Sequence, residues 1–285
     1  MQYRELGHTG QQLSVIGFGG IVVTDVPQPD ADRLVASAVE RGVTYFDVAP
    51  SYGNAEERLG PALAPFRNDV FLACKTQARD AAGAQSELDR SLQRMRTDHF
   101  DLYQLHAMTK LEDVDTVLAP GGAMETFQRA REQGKVRFLG FSAHSVDAAV
   151  ELLRRFPFDS VLFPFNFSTY LAGDFGPQVV QAAQQAGAGL LALKGMARTK
   201  WPEGTTREQR RWHKAWYEPI DDEQTAELAL RFTLSLPVTA AIPPGHAELW
   251  ALAVRVAQDP RPLTVEEERQ IRALAGQTEP IFRAA

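Results

Sequence analysis

The sequence predicts an α/β protein folded as one (β/α)8 TIM barrel spanning residues 1–285, and three observations carry that expectation. Short apolar runs alternate with stretches of helical spacing along the chain, the pattern of βαβ units and a parallel sheet. The apolar runs number eight, the count a closed barrel needs. The chain has 285 residues, 44% hydrophobic and 23% charged, enough for one large core, and this fold uses about 250 residues as a single domain. A doubly wound sheet is the competing arrangement. Its dinucleotide fingerprint is missing, because the run Gly17-Phe18-Gly19-Gly20 lacks the third glycine and a suitably spaced acidic residue.

In order, the expected strands cover residues 13–18, 44–48, 70–75, 102–106, 136–141, 160–163, 189–194 and 238–242. The helical stretches between them are amphipathic. Residues 31–41 place Leu34, Val35, Ala38 and Val39 on one face, and residues 86–95 do the same with Leu88, Leu92 and Met95. Residues 123–132, 146–155, 177–186 and 223–234 follow the same rule, and a helix is expected over 246–257. Residues 264–275 read as an extra C-terminal helix packed outside the barrel.

Composition narrows the partners. The formal net charge is −6 and there is no run of Lys or Arg, which argues against nucleic acid or an anionic membrane surface. The single cysteine, Cys74, excludes an internal disulfide and any multi-cysteine metal site. Histidines 8, 99, 106, 144, 213 and 246 show no zinc-type pairing, so no metal is expected. The opening residues lack an apolar leader and no stretch is long and apolar enough to span a bilayer, so a cytoplasmic protein is expected.

Catalytic groups of a parallel barrel collect at the C-terminal ends of its strands. The second strand ends in Phe46-Asp47, the third in Cys74-Lys75 and the fourth in Leu105-His106, and Tyr52 follows the second strand by a short loop. Side chains alternate across a strand, so with Lys75 facing the axis, Cys74, Phe46 and Leu105 face the helices. Together these polar residues suit carbonyl reduction. Oxygen gains negative charge as hydride arrives and needs a positioned acid. A tyrosine is a poor acid at its ordinary pKa of about 10, and a nearby ammonium lowers that value. Asp47 would hold the Lys75 ammonium, and His106 would orient the carbonyl oxygen.

The segments FDVAPSYGNAEERLG, ACKTQ, DLYQLHAMT and GKVRFLGFSAHS, taken in order, resemble the successive signatures of the aldo-keto reductases. The opening YRELGHTGQQLSVIGFGG is similar to that family's N-terminal β-hairpin and first strand, and the likeness runs to about Pro243. The resemblance implies a catalytic tetrad at Asp47, Tyr52, Lys75 and His106. It also implies hydride transfer from a nicotinamide lying across the barrel top to a small-molecule carbonyl substrate, in a monomer or small homo-oligomer. NADPH is the family default, and NADH remains open because no clamp for a 2′-phosphate is legible. The expected cofactor-binding residues are Gly20, Ile21, Asp47, Ser142, Lys194, Gly195, Met196, Gly245 and His246.

The sequence departs from the family at several cofactor positions. Ala143 stands where an Asn accompanies Ser142, Leu162 where a Gln is usual, and Leu193 where an aromatic or Met often stacks on the ring. After the eighth strand, Ile242-Pro243-Pro244-Gly245-His246 lacks the usual arginine, although backbone N–H groups opening the next helix can bind phosphate. Residues 198–217 hold Trp201, Trp212, Trp216 and Tyr217 among six cations. They form either a lid over the site or a surface excursion pinned by its aromatic residues. Two rival functions stay open. One is a catalytically weak nicotinamide-nucleotide sensor or regulatory subunit. The other is a hydrolase or isomerase using Asp47 and Glu56, although Glu56 also reads as an acid at a helix start.

Overall fold

A computed structural model describes residues 1–259 and 261–284. The chain opens on an antiparallel hairpin of β1 (Tyr3–Glu5) and β2 (Gln12–Ser14). Seven parallel strands follow: β3 (Phe18–Gly19), β4 (Tyr45–Asp47), β5 (Phe71–Thr76), β6 (Phe100–Met108), β7 (Val136–Ala143), β8 (Ser160–Pro164) and β9 (Gly189–Leu193). A two-stranded ribbon of β10 (Ala197–Lys200) and β11 (Tyr217–Pro219) intervenes before the last barrel strand, β12 (Ala240–Ile242). The eight-stranded sheet runs in the order β12-β9-β8-β7-β6-β5-β4-β3. Its two edges meet through a parallel bridge between Ile16 and Ala241, where Ala241 N donates to Val15 O at 2.9 Å and Gly17 N donates to Ala241 O at 2.9 Å. The barrel is closed by that seam.

The helices are α1 (Gln28–Glu40), α2 (Ala55–Leu63), α3 (Ala81–Met95), α4 (Leu111–Leu118), α5 (Ala123–Glu132), α6 (Val146–Arg155), α7 (Phe167–Leu171), α8 (Pro177–Ala186), α9 (Glu223–Ser235), α10 (Ala247–Gln258) and α11 (Val265–Gln277). Asp80, Ser145, Asp222 and Thr264 cap α3, α6, α9 and α11 by accepting from backbone N–H groups in the first turn. The outer helix α11 packs on α7 and α9.

Two apolar layers follow from the alternation of side chains. Val35, Phe46, Leu59, Cys74, Leu88, Leu105 and Phe127 belong to the layer between strands and helices. Tyr45, Phe71, Ala73, Leu102, Leu162, Leu191 and Ala240 fill the barrel interior. The hairpin closes the far end of that interior with Leu6 and Leu13. Gly7 permits this with a φ of 52°, and a Cβ there would sit 2.4 Å from Gly189 N.

The first expected strand is divided. Residues 12–14 pair with β1 in the hairpin, and only Phe18–Gly19 joins β4 in the barrel. The apolar run is continuous because both pieces are buried, so periodicity alone does not show the break. The β10–β11 ribbon and α4 also lie outside the expected elements.

Candidate active site

At the C-terminal rim, a cavity of about 240 Å3 is lined by Asp47, Tyr52, Lys75, His106, Ser142 and Lys194 together with residues of the segment 198–217. Asp47 and Lys75 are both buried and form an ion pair. Asp47 also accepts from Tyr45 Oη at 3.3 Å and from Gln104 Nε2 at 3.2 Å. Lys75 Nζ donates to the Val48 carbonyl at 3.3 Å. Burial alone would depress the Lys75 pKa, but Asp47 and the Tyr52 phenol outweigh it and raise the value, so the ammonium stays charged.

The loop after β4 brings Tyr52 over this pair, with Lys75 Nζ 5.2 Å from its ring centroid. Its backbone is fixed by Tyr52 N donating to Ala49 O at 3.0 Å and by Thr24 Oγ1 donating to Tyr52 O at 3.1 Å. Burial raises the phenol pKa, Lys75 pulls it down, and Asp47 pushes it up again. The net direction is upward. The expectation that Lys75 lowers this value has the sign of its own contribution right, but desolvation is the larger effect.

His106 meets Tyr52 edge-on, with ring centroids 5.7 Å apart. Its Nδ1 lies 3.4 Å from Ser51 Oγ. Burial and then the charges of Lys75, Arg79 and Lys194 push its pKa down to about 3, so the ring is neutral at pH 7. The next residue, Ala107, has a φ of 56°. That strained peptide is braced from both sides: Ala107 N donates to Ser142 Oγ at 2.8 Å, and Arg79 Nη2 donates to the His106 carbonyl at 2.9 Å.

Ser142 therefore has its oxygen engaged while its hydroxyl proton remains available to a ligand. Ile21 and Gly245 line the same cavity. They approach so closely that a Cβ on Gly245 would lie 2.2 Å from Ile21 Cγ2. Gly20, beginning the 3-10 turn Gly20–Val23, is buried against Val48. Gly195 and Met196 are placed elsewhere: Gly195 backs onto Thr233 of α9, and the Met196 side chain lies in the outer apolar layer. His246 stands before α10 and accepts from Lys214 N at 3.1 Å; burial first, then Lys214, lower its pKa to about 4.

Residues 198–217 roof the cavity while also being pinned. Lys214 Nζ donates to the carbonyls of Ile21 and Val22 at 3.3 and 3.1 Å. Trp212 Nε1 donates to Asp221 at 3.0 Å and Trp201 Nε1 to the Ala215 carbonyl at 3.0 Å. A second cleft of about 400 Å3 shares Ile21, Tyr52, Lys214 and Trp216 with the first and adds Arg207, Arg210 and His213 against a single acid, Asp25. The segment thus both lines the cavity and is pinned to the barrel.

Sequence reasoning missed Tyr45, Gln104, Ser51 and the pairing of His144 with Lys194. Tyr45 and Gln104 were within reach, since each lies two residues before an inward-facing site residue on its own strand.

The profile of the Aldo/keto reductase family matches residues 15–247. The whole chain is 26% identical to an uncharacterized oxidoreductase, YqkF, of Bacillus subtilis, covering 99% of that protein. L-galactose dehydrogenase of Arabidopsis thaliana is 28% identical over 61% of this chain and 58% of its own. Among solved structures, the holo form of aldo-keto reductase AKR11C1 from Bacillus halodurans has the same fold, with a TM-score of 0.75 at 24% identity over 96% of both chains. The fold and the rim thus define a barrel of the oxidoreductase class. The chain belongs to the aldo-keto reductase family.

Proposed function

We propose that the protein reduces the carbonyl group of an aldehyde or ketone to an alcohol at the expense of NAD(P)H, with Tyr52 as the proton donor. The observation that carries this reading is the convergence of Tyr52, Lys75, Asp47 and His106 on one cavity wall, with Asp47 and Lys75 buried and paired. When bound, the nicotinamide supplies a hydride to the carbonyl carbon. The residues present suit such a group. Ser142 retains a free hydroxyl proton, the start of α10 has no side-chain cap, and the adjoining cleft carries Arg207, Arg210 and Lys214 for a diphosphate. The NADPH default of the family remains the first choice of nucleotide, with NADH as the alternative.

Tyr52, a protonated phenol at neutral pH, gives its proton to the carbonyl oxygen as negative charge develops there. The Lys75 ammonium stabilises the phenolate left behind, and Asp47 keeps that ammonium charged and in place. His106 is neutral and can donate one N–H to the same oxygen without competing as an acid. Tyr52→Phe should lower kcat by about 10²–10⁴-fold, and Lys75→Met should cripple turnover similarly, with nucleotide binding by Tyr52→Phe retained in a tryptophan-quenching titration. Unchanged turnover in Tyr52→Phe removes the proposed acid. The sensor reading predicts nucleotide binding without turnover of any aldehyde or ketone by the unmodified chain.

A further inference from the structure

We propose that Lys194 and His144 form a carboxylate-binding subsite, so that the carbonyl compound reduced here is one carrying an acid group. This rests on the reductase reading above and specifies its substrate class. Lys194 follows β9 in the left-handed region, with a φ of 64°. That turn directs its side chain across the rim toward the end of β7, where Nζ lies 2.9 Å from His144 Nε2.

The surroundings leave the ammonium short of partners. Lys194 is 8% exposed and pairs with no carboxylate among the described residues. One neutral imidazole takes one of its three N–H donors. Its other neighbours include the Trp216 and Phe282 rings, with centroids 5.6 and 5.9 Å away. Among the described residues Asp47 is the one acid lining the cavity, and Lys75 already holds it. The cavity therefore has an excess of positive charge beside the proton donor, walled by aromatic faces. A carboxylate there would complete the Lys194 hydrogen bonds and neutralise a charge that otherwise costs stability. Lys194, Tyr52 and His106 line one cavity of about 240 Å3, which suits a small oxo acid.

The test compares 4-carboxybenzaldehyde with its methyl ester, methyl 4-formylbenzoate, in the unmodified chain and in Lys194→Met and Lys194→Gln. The unmodified chain should favour the acid by about tenfold or more in kcat/KM, the worth of one charge-assisted hydrogen bond, and either variant should bring the ratio near one. Equal kcat/KM for the two aldehydes in the unmodified chain overturns the proposal, as does a preference that survives both substitutions. Should neither aldehyde turn over with NADPH or NADH, the reductase reading fails separately, and the subsite is then read from binding. Benzoate should quench tryptophan fluorescence in the unmodified chain and not in Lys194→Met; no benzoate binding to the unmodified chain sinks the subsite.

Discussion

At Lys194 the protein maintains an ammonium where burial works against it, and burial brings its pKa down from 10.5 to about 7. The unfolded chain holds that proton up to the ordinary range, so between pH 7 and 10.5 unfolding takes up a proton and stability rises with pH. Below pH 7 the cost is present in full. Lys194→Met should therefore stabilise the unliganded protein by about 1–4 kcal/mol at pH 6, the gain seen when buried ionic groups are replaced by apolar ones, and less at pH 10. Urea midpoints at the two pH values check this, and identical midpoints for variant and parent at pH 6 contradict it. Such residues also show what sequence can disclose. Asp47, Lys75 and His106 were legible because each ends an apolar run in register with its neighbours. The contact between His144 and Lys194 was not, because it joins the ends of β7 and β9 across the intervening β8 and depends on a positive φ that no composition signals.

Among the elements, the roof over the cavity is held by few bonds. Lys214 ties it to the 3-10 turn Gly20–Val23 through two carbonyls, and Arg211 and Trp212 tie it to Asp221. Lys214→Ala removes the link on the β3 side while leaving the Asp221 side intact. Amide hydrogen exchange in residues 198–217 should then quicken roughly tenfold, matching the loss of about 1–2 kcal/mol, with the barrel strands unaffected. Exchange equal to that of the parent would mean the roof is held without the Lys214 ammonium. The ribbon that frames this roof was illegible in the sequence. Ala197–Lys200 and Tyr217–Pro219 are short, charged and split by sixteen intervening residues, so they carry neither a two-residue turn signal nor a clean alternation. Expected helices such as 123–132, 146–155 and 177–186 coincide with α5, α6 and α8, because each buries one stripe against the sheet and bears a clear helical period.

For the molecule as a whole, neutral histidines set the response to acid. His106, His144 and His246 fall to about 3, 2 and 4, in each case chiefly through burial and then through nearby positive charge. The unfolded chain takes up these protons near pH 6.5 and the folded one does not, so stability is full above pH 6.5 and is lost as pH falls toward 4. Stability should decline steadily across that window, by an amount on the order of 1–3 kcal/mol for each of the two deeply buried rings, His106 and His144, read as a falling melting temperature. His144→Phe should flatten the decline in parallel scans at pH 7 and pH 4.5. An unchanged slope would assign the acid response to other groups. Among the described residues no helix is long and apolar enough to cross a membrane.

The seam between Val15 and Ala241 has a consequence for synthesis on the ribosome. Synthesis runs from the N-terminal side, so β3 is made well before β12, the strand that completes its pairing. Until Ala241 leaves the exit tunnel, the nascent sheet keeps an unpaired edge able to pair with other chains. Emergence of β12, rather than initial collapse, is then the moment at which the growing protein escapes from that hazard.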